Sequence, residues 1–240
     1  MSVQQVNLGF EPYLATVRRR LLDVFGPQRD AAYADPLDVM VLAMVSSHTA
    51  DDVAAAAYAR LRIRYPSWGD VARATTDDML ELIGTVTHAE SKALFIPQAL
   101  RSLRACSGHL SLDFLDGWPL HLALTWLDNL PGVGPKVAAT TLNFSRMRKR
   151  VLSVDTHLVR VGERLGLTPD GSTFGRALES YMNILPNDWD GEDLYEFHWL
   201  MKMLGQQVCT ANNTRCAACP LADLCQQAAL MRSGDDRQAA

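Results

Sequence analysis

Four of the five cysteines in this 240-residue chain fall within seventeen residues, Cys209 to Cys225, spaced C-x6-C-x2-C-x5-C. This stretch must wind so that four thiols face one compact centre. The N-terminus MSVQQVNLGFEPYL lacks the basic-then-apolar pattern of an export signal, so a reducing cytoplasmic setting is expected. There, clustered thiols bind metal rather than pair as disulfides. Structural zinc usually draws on separated C-x2-C knuckles or on histidines. One close pair flanked by two unequal spacings suits a cubane [4Fe–4S] cluster better, with zinc the other option. Cys106, far away in ALRSLRACSGHL, is expected to be a small buried apolar residue.

The remainder reads as helix. Apolar residues recur at helical spacing, as in Leu14, Val17, Leu21 and Phe25, or Ala93, Phe95, Ala99 and Leu103. No sustained alternation marks a strand. Caps and breakers divide the pattern into roughly ten helices, an all-α chain with 48% apolar residues and no stretch long enough to span a membrane. The basic, glycine-free stretch SRMRKR before VLSVDTH places a hinge near residue 149. The last fifteen residues, QQAALMRSGDDRQAA, read as a fraying helix and then a tail.

One break is unusual. Between the helical segments HLALTWLDNL and KVAATTLNFSR lies LPGVGP, a tight helix-to-helix turn in which Gly132 and Gly134 can adopt positive φ and Pro135 suits the first turn of the second helix. Backbone amides and a positive helix end converge there, a site for an anion such as a nucleic-acid phosphate. Lys136 follows at once. The helix macrodipole disfavours an ammonium at this end, which favours the neutral amine that a nucleophile requires; a phosphate contact is the other role open to it. Asp155, in VLSVDTHLVRV, is an N-cap for a new helix and a carboxylate able to take protons or stabilise developing positive charge.

Net charge is −4, which taken alone argues against a polyanionic partner. Two basic clusters stand against that sum: Arg18 to Arg20, and Arg146, Arg148, Lys149 and Arg150. Each is either a phosphate-binding patch or a solvated helix face.

LPGVGPKVA, VDTH and the cysteine spacing, in this order, resemble endonuclease III, an iron–sulfur DNA glycosylase family of the helix-hairpin-helix superfamily. The resemblance runs from about Asp35 to Gln226. It implies a six-helix barrel domain over residues 29–149 and a cluster domain formed by residues 1–28 and 150–240. It further implies base-excision repair: a damaged base, by family default an oxidised pyrimidine, is flipped out of duplex DNA and removed. Lys136 matches the lysine that forms a Schiff base at C1′, after which β-elimination nicks the strand, and Asp155 matches the catalytic aspartate. Amides of Gly132, Val133 and Gly134 would hold a phosphate, and Cys209, Cys216, Cys219 and Cys225 would ligate the [4Fe–4S] cluster. A nucleoid-associated monomer acting on damaged or abasic double-stranded DNA is expected.

Two stretches depart from the family pattern. SSHTADD puts His48 where a glutamine usually fills the gap left by the flipped base, and IGTVTHAESKA, carrying His88, replaces a second wedge loop. Both histidines are therefore candidates to contact DNA and the orphan base. Two alternatives remain: a monofunctional mismatch glycosylase of the same superfamily, and a damage-binding member with little turnover. The adenine-specific relatives typically lack the hairpin lysine and carry a further C-terminal domain, whereas this chain has Lys136 and runs only fifteen residues past Cys225.

Overall fold

The computed structural model describes residues 3–29 and 34–230, the side chains from Phe10 onward. The C-terminal part of the expected tail, residues 231–240, lies outside the described residues; Gln226–Leu230 are helical. The chain divides into two compact units, one of Met1–Ala31 with Arg150–Ala240 and an inserted one of Ala32–Lys149. Eleven α-helices occur among the described residues, with two isolated β-bridges.

The inserted unit holds α2 (Pro36–Ser46), α3 (Asp51–Arg64), α4 (Trp68–Arg73), α5 (Thr76–Ile83), α6 (Ala89–Ser107), α7 (Leu120–Asp128) and α8 (Pro135–Phe144). Local chemistry sets their limits. Asp35 caps α2, accepting from the Leu37 N–H at 2.8 Å, and Thr75 and Asp78 close a reciprocal capping box on α5. α2 is buried along most of its length and packs against α8, α3 and α6, forming the centre of this unit. Its chain ends are joined: Ala34 bridges Ser145, and Arg146 pairs with Asp35 at 2.7 Å and also with Asp113.

The split unit holds α1 (Val3–Phe25), α9 (Thr156–Leu165), α10 (Phe174–Ile184) and α11 (Gly191–Gln207). Leu14, Val17 and Leu21 of α1 join Leu158, Val161, Tyr181, Phe197 and Leu200 in one core, and burying such side chains stabilises by about 1.5–3 kcal/mol each. Val151–Val154 is buried and belongs to neither helix nor strand.

Cys106 is exposed, contrary to expectation, because it lies on the solvent side of the last turn of α6. Apart from Arg19, which is exposed, the basic clusters are engaged internally. Arg18 bonds Asp193 (2.6 Å) and Glu196 (2.5 Å), and Arg20 bonds Asp223 (2.5 Å). Arg148 donates to the Asn143 carbonyl (3.0 Å), Arg150 to those of Pro186 (2.7 Å) and Trp189 (2.8 Å), and Lys149 to the Asp116 carbonyl.

Candidate functional site

In the inserted unit the turn between α7 and α8 is set by one glycine. Gly132 has φ +74°, and a Cβ there would lie 2.7 Å from Phe95 Cβ and 3.1 Å from Met44 Cε, so the turn rests directly on α6 and α2. Gly134, expected to share that conformation, has φ −110° and ψ −177° instead; it is the N-cap of α8 and contributes no side-chain cap. The Val133 amide donates to the Leu130 carbonyl at 3.1 Å, so it is engaged in the turn rather than offered to a phosphate. Among the described residues, the Gly132 and Gly134 amides have no such carbonyl partner. Lys136 stands in the uncapped first turn of α8.

The same unit brings together two residues the sequence had placed in separate loops. His48 (φ 56°) and His88 (φ 57°) both occupy left-handed backbone, and both side chains are exposed. Their rings lie 6.0 Å apart, edge to face. Left-handed backbone in a residue with a Cβ is strained, by about 1–2 kcal/mol, and such strain gathers at functional corners.

In the split unit Asp155 caps α9, its Oδ1 accepting from the amides of His157 (2.8 Å) and Leu158 (2.9 Å). Burial by itself would raise its carboxyl, but His198, the Leu158 N–H, His157 and Lys202 outweigh burial and hold it below the usual carboxylate range. Asp155 is thus ionised at neutral pH. His198 is buried, its Nδ1 2.6 Å from the Ser153 carbonyl. His157 is pushed down by burial, against the pull of Asp155.

The four cysteines of this unit line one cavity, with Arg164, Val208 and Ala228 among its walls, and none forms a disulfide. Arg164 Nη1 lies 3.1 Å from Cys209 Sγ and donates to the Thr210 carbonyl (2.8 Å), while Cys225 Sγ donates to the Arg164 carbonyl (3.2 Å). Burial, followed by the neighbouring thiols, pushes Cys219 up. Among the described residues no group of three or more His, Cys, Asp or Glu side chains is placed to hold a metal ion. Four thiols on one cavity with a guanidinium against one of them are donors of the type an iron–sulfur centre uses, whose thiolate charge a cation stabilises.

No protein-family model matches the sequence. Curated relatives do: endonuclease III of Escherichia coli (strain K12) is 29% identical over 203 residues, covering 83% of this chain and 88% of that protein. Endonuclease III of Synechocystis is 27% identical over 197 residues, 82% of this chain and 83% of that protein. The chain is similar to endonuclease III over most of its length. The endonuclease III-like protein 1 of Gallus gallus is 29% identical over 191 residues, 79% of this chain. The chain spans only 63% of that relative's length and 59% of a relative from Arabidopsis thaliana. The fold agrees. A solved trapped endonuclease III–DNA covalent intermediate matches with TM-score 0.76 and 21% identity over 97% of this chain and 99% of that one. A thermostable thymine-DNA glycosylase matches with TM-score 0.71 and 15% identity over 91% of this chain and 95% of that one. The all-helical architecture is therefore the helix-hairpin-helix glycosylase fold.

Proposed function

We propose that this protein is a base-excision DNA glycosylase with an associated abasic-site lyase activity, acting on duplex DNA that carries a damaged pyrimidine or an abasic site. The observation that carries this reading is the hairpin turn: Gly132, packed on Phe95, delivers Lys136 at the start of α8, where the helix end disfavours an ammonium. The solved covalent endonuclease III–DNA intermediate supports it by family analogy.

The chemistry balances with the residues present. The neutral Lys136 amine forms a bond to C1′ of a nucleotide extruded from the stack, and the glycosidic bond breaks with its electron pair leaving on the base. The amine sheds its proton, the sugar ring opens, and an iminium joins Lys136 to C1′. Loss of a C2′ proton then expels the 3′ phosphate by β-elimination. Asp155, held ionised, stabilises positive charge developing on the sugar and accepts the amine proton. Amides of Gly132 and Gly134 supply phosphate contacts. His48 and His88, paired at their two corners, contact the orphan base.

Cys209, Cys216, Cys219 and Cys225 would hold a [4Fe–4S] cluster, which when bound ties the C-terminal segment together. Protein that purifies colourless, with zinc and no iron, would exclude it.

The test is borohydride trapping with an oxidised-pyrimidine duplex and an abasic duplex. A covalent adduct on both, lost in Lys136→Ala, is expected. The histidine corners favour a second reading, a damage-binding member with little turnover. Tight lesion binding without any adduct from protein bearing an intact cluster would select it.

A further inference from the structure

Lys92 lies on the apolar stripe of α6, in line with Ile96, Ala99 and Leu103, and is only 8% exposed. Its Nζ donates to the carbonyl oxygens of Val45 (2.7 Å) and Ser47 (2.6 Å) and to Thr49 Oγ1 (3.1 Å), so each N–H of the ammonium meets an acceptor. The bonds around Thr49 close as well. Its hydroxyl donates to the Ser47 carbonyl at 3.2 Å and accepts from both Lys92 Nζ and the Thr87 N–H, the latter at 3.1 Å. The Ser47 oxygen takes Lys92 and Thr49 together, which uses both of its lone pairs. Each hydrogen in this network therefore has one place to go.

Two corners of the unit hang on it. Ser47 and Thr49 flank His48, and Thr87 precedes His88. Lys92 also reaches the second corner through its backbone, its N–H donating to the His88 carbonyl at 3.1 Å in the first turn of α6. One residue thus grips the chain on both sides of His48 with its side chain and the His88 carbonyl with its main chain. Thr49 makes the direct link, because its Oγ1 accepts from the Thr87 amide across 38 residues. Both histidines sit in left-handed backbone, which persists only where the surroundings fix it, and their rings meet at 6.0 Å. Corners ordered in advance lose less conformational freedom on binding than loops that the ligand must order, and they present one geometry to it.

On the reading that these corners contact the orphan base, we infer that Lys92, acting through Thr49, is a positioning residue that sets His48 and His88 as one preformed unit and thereby sharpens discrimination of the base opposite the lesion.

Binding of duplexes that carry a tetrahydrofuran abasic analogue opposite A, C, G or T, followed by fluorescence anisotropy on the full chain, tests this without requiring turnover. The quantity read is the spread of Kd across the four duplexes. Thr49→Val keeps Lys92 and its carbonyl acceptors at Val45 and Ser47 but removes the acceptor for Thr87. It is expected to narrow the spread by about threefold to tenfold, and Thr49→Ser to restore it. Lys92→Met should narrow it at least as much; if that variant does not fold, the two Thr49 variants decide alone. A variant that merely weakened the fold would raise all four Kd values by one factor and leave the spread unchanged. That result for Thr49→Val, beside a spread that falls in His48→Ala, would overturn the inference. NMR adds an arm independent of DNA: the cross-peak between the two imidazole rings is expected to disappear in Thr49→Val and to remain in Thr49→Ser. A wild-type protein that binds all four duplexes equally would instead overturn the orphan-base reading, and the ring cross-peak would then decide the brace, its loss in Thr49→Val upholding it and its survival ending it.

Discussion

Lys136 and Asp155 are held by different physics, each inside its own unit. Around Lys136 the constraint is shape: a glycine at φ +74° laid against Phe95, where a methyl group has no room. Around Asp155 it is charge: two amides of α9, and the fields of His198, His157 and Lys202, overcome the effect of burial. A site held by shape should fail when volume is added and ignore pH. One held by charge should tolerate an isosteric change and respond to acid.

On the reading that the four thiols hold a cluster, the largest effect that would sharpen this contrast is its removal. Oxidative extraction of the cluster, or Cys219→Ser, is expected to strip hydrogen-exchange protection from α9 and α11 while α2 and α8 keep theirs. Equal loss in both units would break the comparison. Next comes Gly132→Ala, which forces a Cβ into left-handed backbone and into contact with Phe95. About 3 kcal/mol is expected to be lost from the inserted unit, by urea denaturation followed at its amides. Gly134→Ala has open space around its Cβ and should cost under about 1 kcal/mol, so similar losses for the two would mean that shape is not the constraint.

Asp155→Asn should destabilise the split unit at pH 7. The sign follows from the depressed carboxyl: its contribution is present above the unfolded value near 3.9 and is lost as pH falls through the lower folded value. The difference between wild type and Asn should therefore shrink between about pH 5 and pH 3. A gap that is constant with pH would show that the carboxylate acts only as a cap. The smallest effect expected is for Arg146→Ala, whose partners Asp35 and Asp113 are solvent-facing; it should cost no more than about 1 kcal/mol, measured by thermal unfolding.

Much of this was legible in the residues. Helical spacing, caps and the LPGVGP break gave the all-α class and the hairpin, and the cysteine spacing gave the thiol set. What escaped were facts about partners distant in sequence. The SRMRKR cluster shows no sign of its carboxylates, which lie up to 111 residues away at Asp35. His48 and His88 meet across 40 residues through backbone conformations that histidine seldom adopts. Lys92 did leave a trace: a lysine in register with Ile96 and Leu103 on a buried stripe is out of place unless something accepts its protons. For Cys106 the residue type suggested burial, while its position near the end of α6 left it in solvent.

The joined ends of the inserted unit have a consequence for how the chain is made. Because Ala34 meets Ser145 and Arg146 meets Asp35, the inserted unit is topologically closed and complete as soon as its last residues leave the ribosome. The split unit is not. The Leu14, Val17 and Leu21 face of α1 is synthesised first, yet its partners on α9 and α11 arrive only after the whole insertion, a delay on the order of ten seconds at ordinary translation rates. Through that interval the first helix is a nascent segment without its core, and the order of synthesis, more than the final packing, decides when it needs protection from aggregation.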